Sequence, residues 1–428
     1  MRAGESMGSI RYRDIAARRN WTLEQRAHYS HARLLAVLEH AVANVPFYKK
    51  RFAQHGVTDR DIRHLKDLTL LPLTRKAELE TEHEAFLARG VQRKECVSRC
   101  RAGANERTLH VYLSPPECET VRAIERRTLE TCGLTGRYSS LAVLPPNQTP
   151  PAPGMCERWL RGCRHYVSLF ETTPEQLRVL RQTRPQAFAA PLWILTRVAK
   201  EIHRGAPLGF ALRLVLGWGE PMRRGDRDVL RETFGVEPTD VYQTWEFGPI
   251  AAECPQRNGL HVNFDLVHVE ILREGRPAEP GEAGEVVLTS LVNFTMPLIR
   301  YRVGDVASWK SGPCACGWQG LTLEGVHGRL EQTVLLPTGA YIPARYLEEC
   351  LDQFTNVVGY RAIQTEPRMV ELLIVPGTLF QERTAQLVRG KCLELFNHKV
   401  GVELRMVNEL PFLTGHRRQP VICKLPQV

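Results

Sequence analysis

Early in the chain apolar residues recur at every third or fourth place, with Leu34, Leu35, Val37, Leu38, Ala41, Val42 and Val45 forming one stripe. That period predicts helix over about 20–54, interrupted where Pro46 removes a backbone donor. Leu71-Pro72-Leu73-Thr74-Arg75-Lys76 reads as a turn into another helix. Residues 96–114 hold a polar, glycine-containing loop and then an alternating strand, Leu109–Leu113. A helix from about Pro116 to Thr131 follows. The pattern then alternates between strand and helix: Ser140–Leu144 and Ala187–Ala190 are apolar strands, and Leu192–His203 is helical. Leu212–Leu216 is a third strand, running into Gly217-Trp218-Gly219-Glu220-Pro221 and a helix over 222–234. This rhythm predicts a mostly parallel α/β sheet, with ligands at the carboxyl ends of its strands.

From residue 262 the texture changes. Val267–Leu272, a turn at Glu279-Pro280-Gly281 and Gly284–Thr289 read as antiparallel β-structure. Beyond Gly328 a smaller α+β segment is expected: strand 333–336, helix 343–354, strands near 358–364 and 369–375, helix 380–397 and strand 402–407. The fold class is therefore α/β, with a large N-terminal α/β domain of mixed sheets carrying a β-rich subdomain, and a small α+β C-terminal domain. The expected domains are 1–328 and 329–428.

Composition excludes more than it selects. The chain has 428 residues, long enough for two or three domains. No run of about 18 apolar residues is present, so no membrane partner is expected. Met1–Ser6 lacks the apolar core of a secretory signal, which makes the cytoplasm the expected location. The net charge of +10 comes from 57 basic residues scattered among 47 acidic ones. Nucleic-acid footprints concentrate on one face, so small anionic ligands suit this surface better than nucleic acid. Twelve cysteines in such a chain are expected to be free thiols or metal ligands. Cys132, Cys350, Cys392 and Cys423 read as isolated small core residues.

Three acid-bearing motifs each close an apolar run: Tyr242-Gln243-Thr244-Trp245-Glu246-Phe247-Gly248, Arg300-Tyr301-Arg302-Val303-Gly304-Asp305 and Gly328-Arg329-Leu330-Glu331-Gln332. A carboxylate flanked by glycine suits a sugar hydroxyl or a metal ion. Taken singly, Glu246 would equally suit a helix start, Asp305 the cap of a turn, Tyr242 a core and Arg329 an exposed hinge. Taken together and in this order, the motifs resemble the nucleotide site of the adenylate-forming (acyl-CoA synthetase-like) ligases. The resemblance is to the branch of phenylacetate–CoA ligases and capsular-polysaccharide ligase-like proteins. It starts at His40–Tyr48, includes Leu71–Thr74, and is best over 217–332.

The resemblance implies a large N-terminal domain, a small mobile C-terminal lid and an active site at their junction. It implies ATP- and Mg2+-dependent conversion of a carboxylic acid into its acyl-adenylate, then transfer to a thiol or amine. By the same resemblance Glu246 is the acid associated with Mg2+, and Tyr242 lies beside adenine. Gly219, Glu220 and Pro221 line the adenine pocket, Thr244 contributes to the nucleotide site, and Asp305 holds the ribose of ATP or AMP. Arg329 and Glu331 fall at the hinge, where the arginine reaches the nucleotide. Gly103 marks the phosphate loop, and His416 stands where a catalytic lysine bridges the carboxylate and α-phosphate.

The phosphate-handling positions depart from the family pattern. Arg101–Thr108 keeps Gly103 but has lost most hydroxyl residues and gained Glu106. Trp245 replaces a small hydroxyl residue, and His416 is shorter and mostly neutral at pH 7. Three expectations follow: an AMP-forming ligase in a biosynthetic pathway, a pseudo-ligase serving as scaffold, or a ligase fold performing another acyl or nucleotidyl transfer. The acid is expected to be aryl or amino-acid-like; Trp193, Phe188, Trp218 and Phe247 are candidate pocket walls for apolar or aromatic cargo, with aromatic core the commoner role of such residues. The acceptor could be CoA, a carrier protein or a small amine, and a homodimer is compatible with the chain.

Cys254, His261, Cys314 and Cys316 are a further candidate set. Cys-x-Cys between Pro313 and Gly317 can aim two thiolates at one point, and a Cys3His set is a usual arrangement for structural zinc. Free thiols on loops are the alternative. The ligase resemblance favours zinc, because some members of that branch carry it on a similar layout.

Overall fold

The computed structural model describes residues 12–58, 61–62, 64–102, 108–144, 163–205, 207–410 and 419–425. The chain forms two compact units. The first comprises Met1–Val269, Leu288–Arg302 and Lys310–Glu324; the second comprises Glu270–Val287, Val303–Trp309 and Gly325–Val428. Gly103 and His416 lie outside the described residues. Among those residues no helix is long and apolar enough to cross a membrane.

The long helical pattern resolves into helices Leu23–Asn44 and Pro46–Gln54. Pro46 occupies the first turn of the second, where its missing N–H costs nothing. Thr22 caps the first helix reciprocally with Gln25: Gln25 N donates to Thr22 Oγ1 at 3.2 Å and Thr22 N to Gln25 Oε1 at 2.9 Å.

The sheet of the first unit is parallel across strands Arg164–Ser168, Ser140–Leu144, Ala187–Pro191, Leu214–Trp218 and Thr239–Thr244, in that spatial order. Helices Thr173–Thr183, Leu192–Arg204 and Arg224–Phe234 supply the crossovers. Their apolar faces meet the sheet in a core of Leu141, Val143, Leu180, Leu195, Val198 and Val215. Phe188, read from sequence as a pocket wall, belongs to this core and packs edge-on against Phe234 at 6.0 Å. Beyond Thr244 the pairing turns antiparallel through Gly248–Glu253 and Leu260–Val262.

The buried carboxylate of Glu117 fastens a distant loop of the same unit. It accepts from Phe294 N at 2.7 Å, Thr295 N at 3.0 Å and Thr295 Oγ1 at 2.7 Å, while also holding Ser114 N at its own helix start. Three donors of that loop are thus satisfied by one side chain, as buried polar groups require.

In the second unit, Val357–Glu366 and Met369–Pro376 pair antiparallel. Gly401–Met406 adds in parallel at one edge and Val421–Cys423 at the other. Helices Ala344–Leu351 and Glu382–Leu395 close a core of Leu347, Leu351, Val370, Leu372, Ile374, Val388 and Phe396. A short hairpin, Thr333–Leu335 with Tyr341–Pro343, precedes them.

Candidate active site and metal centre

Strands Leu214–Trp218 and Thr239–Thr244 are parallel neighbours, with Leu216 opposite Thr239 and Gly217 opposite Asp240. Their carboxyl ends therefore share one edge of the sheet, where open α/β sheets bind ligands. Gly219–Glu220–Pro221 leaves the first strand, and Gly219 adopts φ +88° with open space where a Cβ would stand. At the end of the second strand the chain makes a tight turn over Trp245–Phe247 and returns as Gly248–Glu253. Glu246 thus sits partly exposed in a hairpin turn, not at a helix start. Thr244 is its near flank, its Oγ1 accepting from Phe247 N at 3.3 Å. Tyr242 is buried in the strand below.

Gly248 closes the turn at φ +88°, and a Cβ there would lie 2.8 Å from Arg99 Nη1 and 3.3 Å from Val121 Cγ1. Only glycine lets the Arg99 guanidinium approach this backbone. Arg99 also lies 3.7 Å from Glu125. Sequence reading missed Arg99, because the approach joins segments about 150 residues apart and leaves no local period.

At the end of this strand pair away from the turn lies an acid pair, Glu253 buried and Asp240 partly so. Glu253 accepts from Arg227 Nη2 at 2.6 Å and from Asp240 N at 2.8 Å. Burial, with Glu253 adding to it, pushes the Asp240 carboxyl up to about 7 against the pull of Arg227. Asp240 also accepts from the backbone N–H of Met222, tying the segment after Pro221 to its neighbouring strand.

Within the second unit, Arg329 Nη1 donates to Asp305 Oδ1 at 2.7 Å. The two come from strands Tyr301–Trp309 and Thr322–Arg329, which lie side by side. Gly304 precedes the acid at φ +76°, and a Cβ there would meet Arg329 Nη2 at 3.4 Å. Glu331 Oε1 is 4.0 Å from Arg329 Nε. The structure thus joins the second and third sequence motifs through one ion pair, and places the first beside Gly219–Pro221.

The four candidate metal ligands converge in the first unit. Cys254 directly follows strand Gly248–Glu253, His261 is the middle residue of Leu260–Val262, and Cys314 and Cys316 flank a turn ending at Gly317. Thr322 pairs with His261, which brings the Cys-x-Cys turn back over the histidine. Cys254 Sγ is 3.7 Å from Cys314 Sγ, Cys316 Sγ is 3.7 Å from His261 Nε2, and all four donor atoms lie within 4.8 Å of one another. Tetrahedral zinc with bonds of about 2.0–2.3 Å separates its ligand atoms by roughly 3.3–3.8 Å, so the donor set fits zinc.

Burial, then Arg26 and Arg19, lowers His261 to about 4, so the ring is neutral and offers a lone pair. Its buried Nδ1 has no hydrogen-bond partner among the described residues. The ring stacks on Trp318 at 4.9 Å and 2°, and the Arg26 guanidinium lies 3.8 Å from the Trp318 ring centre. Desolvation, then the neighbouring Cys314 and Cys254, pushes the Cys316 thiol up to about 12; burial also raises Cys254, while hydrogen bonds from Cys316 and Cys254 lower Cys314 against burial. Three thiols crowded together cannot all ionise without a cation between them.

Gly259 sets the approach to His261 at φ +91°, where a Cβ would stand 2.5 Å from Leu323 O and 2.8 Å from Thr322 Cγ2. Gly259→Ala is therefore expected to cost about 1–3 kcal/mol in urea unfolding and to reduce metal content. A variant as stable as the parent would remove this account of the loop.

No protein-family model matches the chain. Among characterised relatives it is similar to the phenylacetate-coenzyme A ligase of Thermus thermophilus, 25% identical over 331 residues covering 71% of this chain and 70% of the relative. The Escherichia coli enzyme of the same name is 24% identical over 348 residues, covering 78% of each chain. The open conformation of 2-hydroxyisobutyryl-CoA ligase, solved with 2-HIB-AMP and CoA, matches with a TM-score of 0.76 at 18% identity. That match covers 99% of this chain and 95% of the other. ATP-bound MatB from Rhodopseudomonas palustris matches with a TM-score of 0.53 at 14% identity over 76% of this chain and 66% of the other.

Proposed function

We propose that this chain, a member of the adenylate-forming ligase superfamily, is an AMP-forming acid–CoA ligase that activates a small carboxylic acid. The observation that carries the reading is the placing of Gly219–Pro221 and Glu246 at the carboxyl ends of adjacent parallel strands. The acid's carboxylate attacks the α-phosphate of ATP and pyrophosphate leaves; a thiol then takes the acyl group and releases AMP. In this reading Gly219, Glu220 and Pro221 wall the adenine, with Tyr242 beside it and Thr244 at the nucleotide. Asp305 receives the ribose hydroxyls, with its other partner Arg329 limiting its freedom to turn away. Glu246 would hold Mg2+, which when bound neutralises phosphate charge. Gly103 would approach the phosphates, and His416 would stand at the position of the bridging lysine.

The relatives named for phenylacetate and 2-hydroxyisobutyrate support a small acid and CoA as the pair to try first. An aryl or amino-acid-like acid, a carrier-protein or amine acceptor, a biosynthetic role, a cytoplasmic location and a homodimer extend the same proposal. We place structural Zn2+ on Cys254, His261, Cys314 and Cys316, where the ion would neutralise three thiolates and pin the antiparallel end of the sheet. Elemental analysis after chelator-free purification should find about one zinc per chain; less than about half would remove the assignment.

The test of the ligase reading is ATP–pyrophosphate exchange across a panel of carboxylic acids, paired with calorimetric titration of ATP. Exchange with at least one acid is expected. Trp245 and the His416 position favour a second reading, in which the fold binds nucleotide but performs another transfer; ATP binding without exchange would support it. Absence of binding would leave a scaffold. Under the ligase reading His416→Lys should raise exchange by roughly tenfold or more, because it restores a charge at the transition state.

A further inference from the structure

His261 turns Nε2 toward the thiols, 3.7 Å from Cys316 Sγ, and leaves Nδ1 buried with no hydrogen-bond partner among the described residues. A metal-ligating histidine ordinarily has its second nitrogen fixed by a carboxylate or carbonyl, which sets the plane of the ring. Here stacking takes the place of that bond. The Trp318 ring lies parallel to His261, with 4.9 Å between centres and 2° between planes. Over Trp318 lies the Arg26 guanidinium, its Cζ 3.8 Å from that ring centre and 4.9 Å from the centre of Phe264. Arg26 is held there, since Nε donates to Trp21 O at 2.9 Å and Nη2 to Arg19 O at 2.7 Å. Gly320 leaves room for both side chains: a Cβ there would stand 2.8 Å from Trp318 Nε1 and 3.1 Å from Arg26 Nη1.

The charge on Arg26 has no local explanation. The residue is 3% exposed, its two hydrogen bonds go to backbone carbonyls, and Nη1 has no partner among the described residues. Asp265, the carboxylate whose charge reaches it, is already held by Arg127 and Arg18. A guanidinium stays protonated in a protein, and burying it costs free energy unless a negative charge compensates it. Three thiolates around a divalent ion, with neutral imidazole as the fourth ligand, leave a centre of net charge minus one. We propose, resting on the zinc reading of Cys254, His261, Cys314 and Cys316, that Trp318 and Arg26 are positioning residues of that centre. Trp318 fixes the plane of the His261 ring, and Arg26 balances the charge of the ion with its thiolates. The metal centre is thereby tied to the first turns of helix Leu23–Asn44, far from the Cys-x-Cys turn in sequence.

The test follows zinc leaving the full-length, zinc-loaded protein for a chromogenic chelator at neutral pH. Arg26→Met, which keeps the bulk and removes the charge, should speed release roughly tenfold or more, as should Trp318→Ala. Trp318→Phe keeps a ring to stack and should stay within about threefold of the parent. Once stripped of metal, Arg26→Met should unfold in urea no more readily than the stripped parent, whose buried guanidinium then lacks its counter-charge. A loss of stability equal with and without metal would make Arg26 a packing residue and overturn the proposal. Unchanged release from Arg26→Met, or release from Trp318→Phe as fast as from Trp318→Ala, would overturn it equally while leaving zinc on its four ligands. A parent that binds no zinc would instead remove the metal reading itself, and this proposal with it.

Discussion

Asp265→Asn is expected to lower the unfolding free energy by about 3–5 kcal/mol at neutral pH, the largest stability effect of any single change considered. Asp265 is 1% exposed and takes a bidentate grip from Arg127, whose Nη1 and Nη2 donate to Oδ2 and Oδ1 at 2.7 and 2.6 Å. Arg18 Nη1 adds a third bond at 3.0 Å, and Arg127 Nη2 also donates to Asn263 Oδ1 at 2.9 Å. Asn263 Nδ2 in turn donates at 2.8 Å to Pro249 O, the second residue of the returning strand of the Glu246 hairpin. Removing the carboxylate charge strands two buried guanidinium groups, which costs more than the pair contributes net.

Burial alone would raise Asp265, but Arg127 and then Arg18 hold it below the usual carboxylate range. A depressed folded value means the stabilisation is fully present above the unfolded value, about 3.9, and fades as pH falls through the folded one. The gap between wild type and Asp265→Asn in urea unfolding should therefore stay constant from pH 7 down to about 4 and narrow below that. A difference under about 1 kcal/mol at pH 7 would show that the network is relaxed by water. Asp265→Leu combined with Arg127→Met should recover part of the loss, since hydrophobic replacement of a buried ion pair is often neutral or stabilising.

The second large effect concerns activity. Glu246→Gln should reduce ATP–pyrophosphate exchange by about 100- to 1000-fold, equivalent to roughly 3–4 kcal/mol of lost transition-state stabilisation. The amide keeps the shape of the turn but removes the charge that would hold a divalent ion. Glu246 is partly exposed and lies outside the Asp265 network, so melting should shift little. Exchange within threefold of wild type would sink the assigned role while leaving the fold intact.

Much of this architecture is visible in local pattern. Ser140–Leu144 and the helix starting at Leu192 stand where apolar period and length place them, because each element buries one continuous face in the same core. Pro46 divides the early helical run where its ring forbids continuation. Gly217 and Trp218, read as the start of a loop, extend strand Leu214–Trp218, since pairing with Ala190 and Pro191 overrides the weak strand preference of glycine. Val421–Cys423 is too short to announce itself and exists only because Val357–Glu366 offers an edge.

Site residues divide in the same way. Cys254, His261, Cys314 and Cys316 could be grouped from spacing and residue type, because metal donors are few and distinctive. Arg99, Asp240 and Glu253 act through contacts made only after the sheet has assembled, and nothing in their immediate neighbours signals it. Phe188, a candidate pocket wall by residue type, takes the commoner role of a buried aromatic and fills the core.

The chain passes between its two units five times, at Val269, Val287, Arg302, Trp309 and Glu324. His261 and Cys316 are separated by 55 residues, and the stretch between them contains two segments of the other unit. At about 5–20 residues per second, a ribosome exposes Cys254 and His261 for roughly 3–11 s before the Cys-x-Cys turn follows. During that interval the nascent chain carries half of the candidate donor set, so an ion held by all four residues would close it only after the intervening segments have been made. If these four residues hold an ion, its supply during synthesis, rather than afterwards, would set the yield of correctly closed protein.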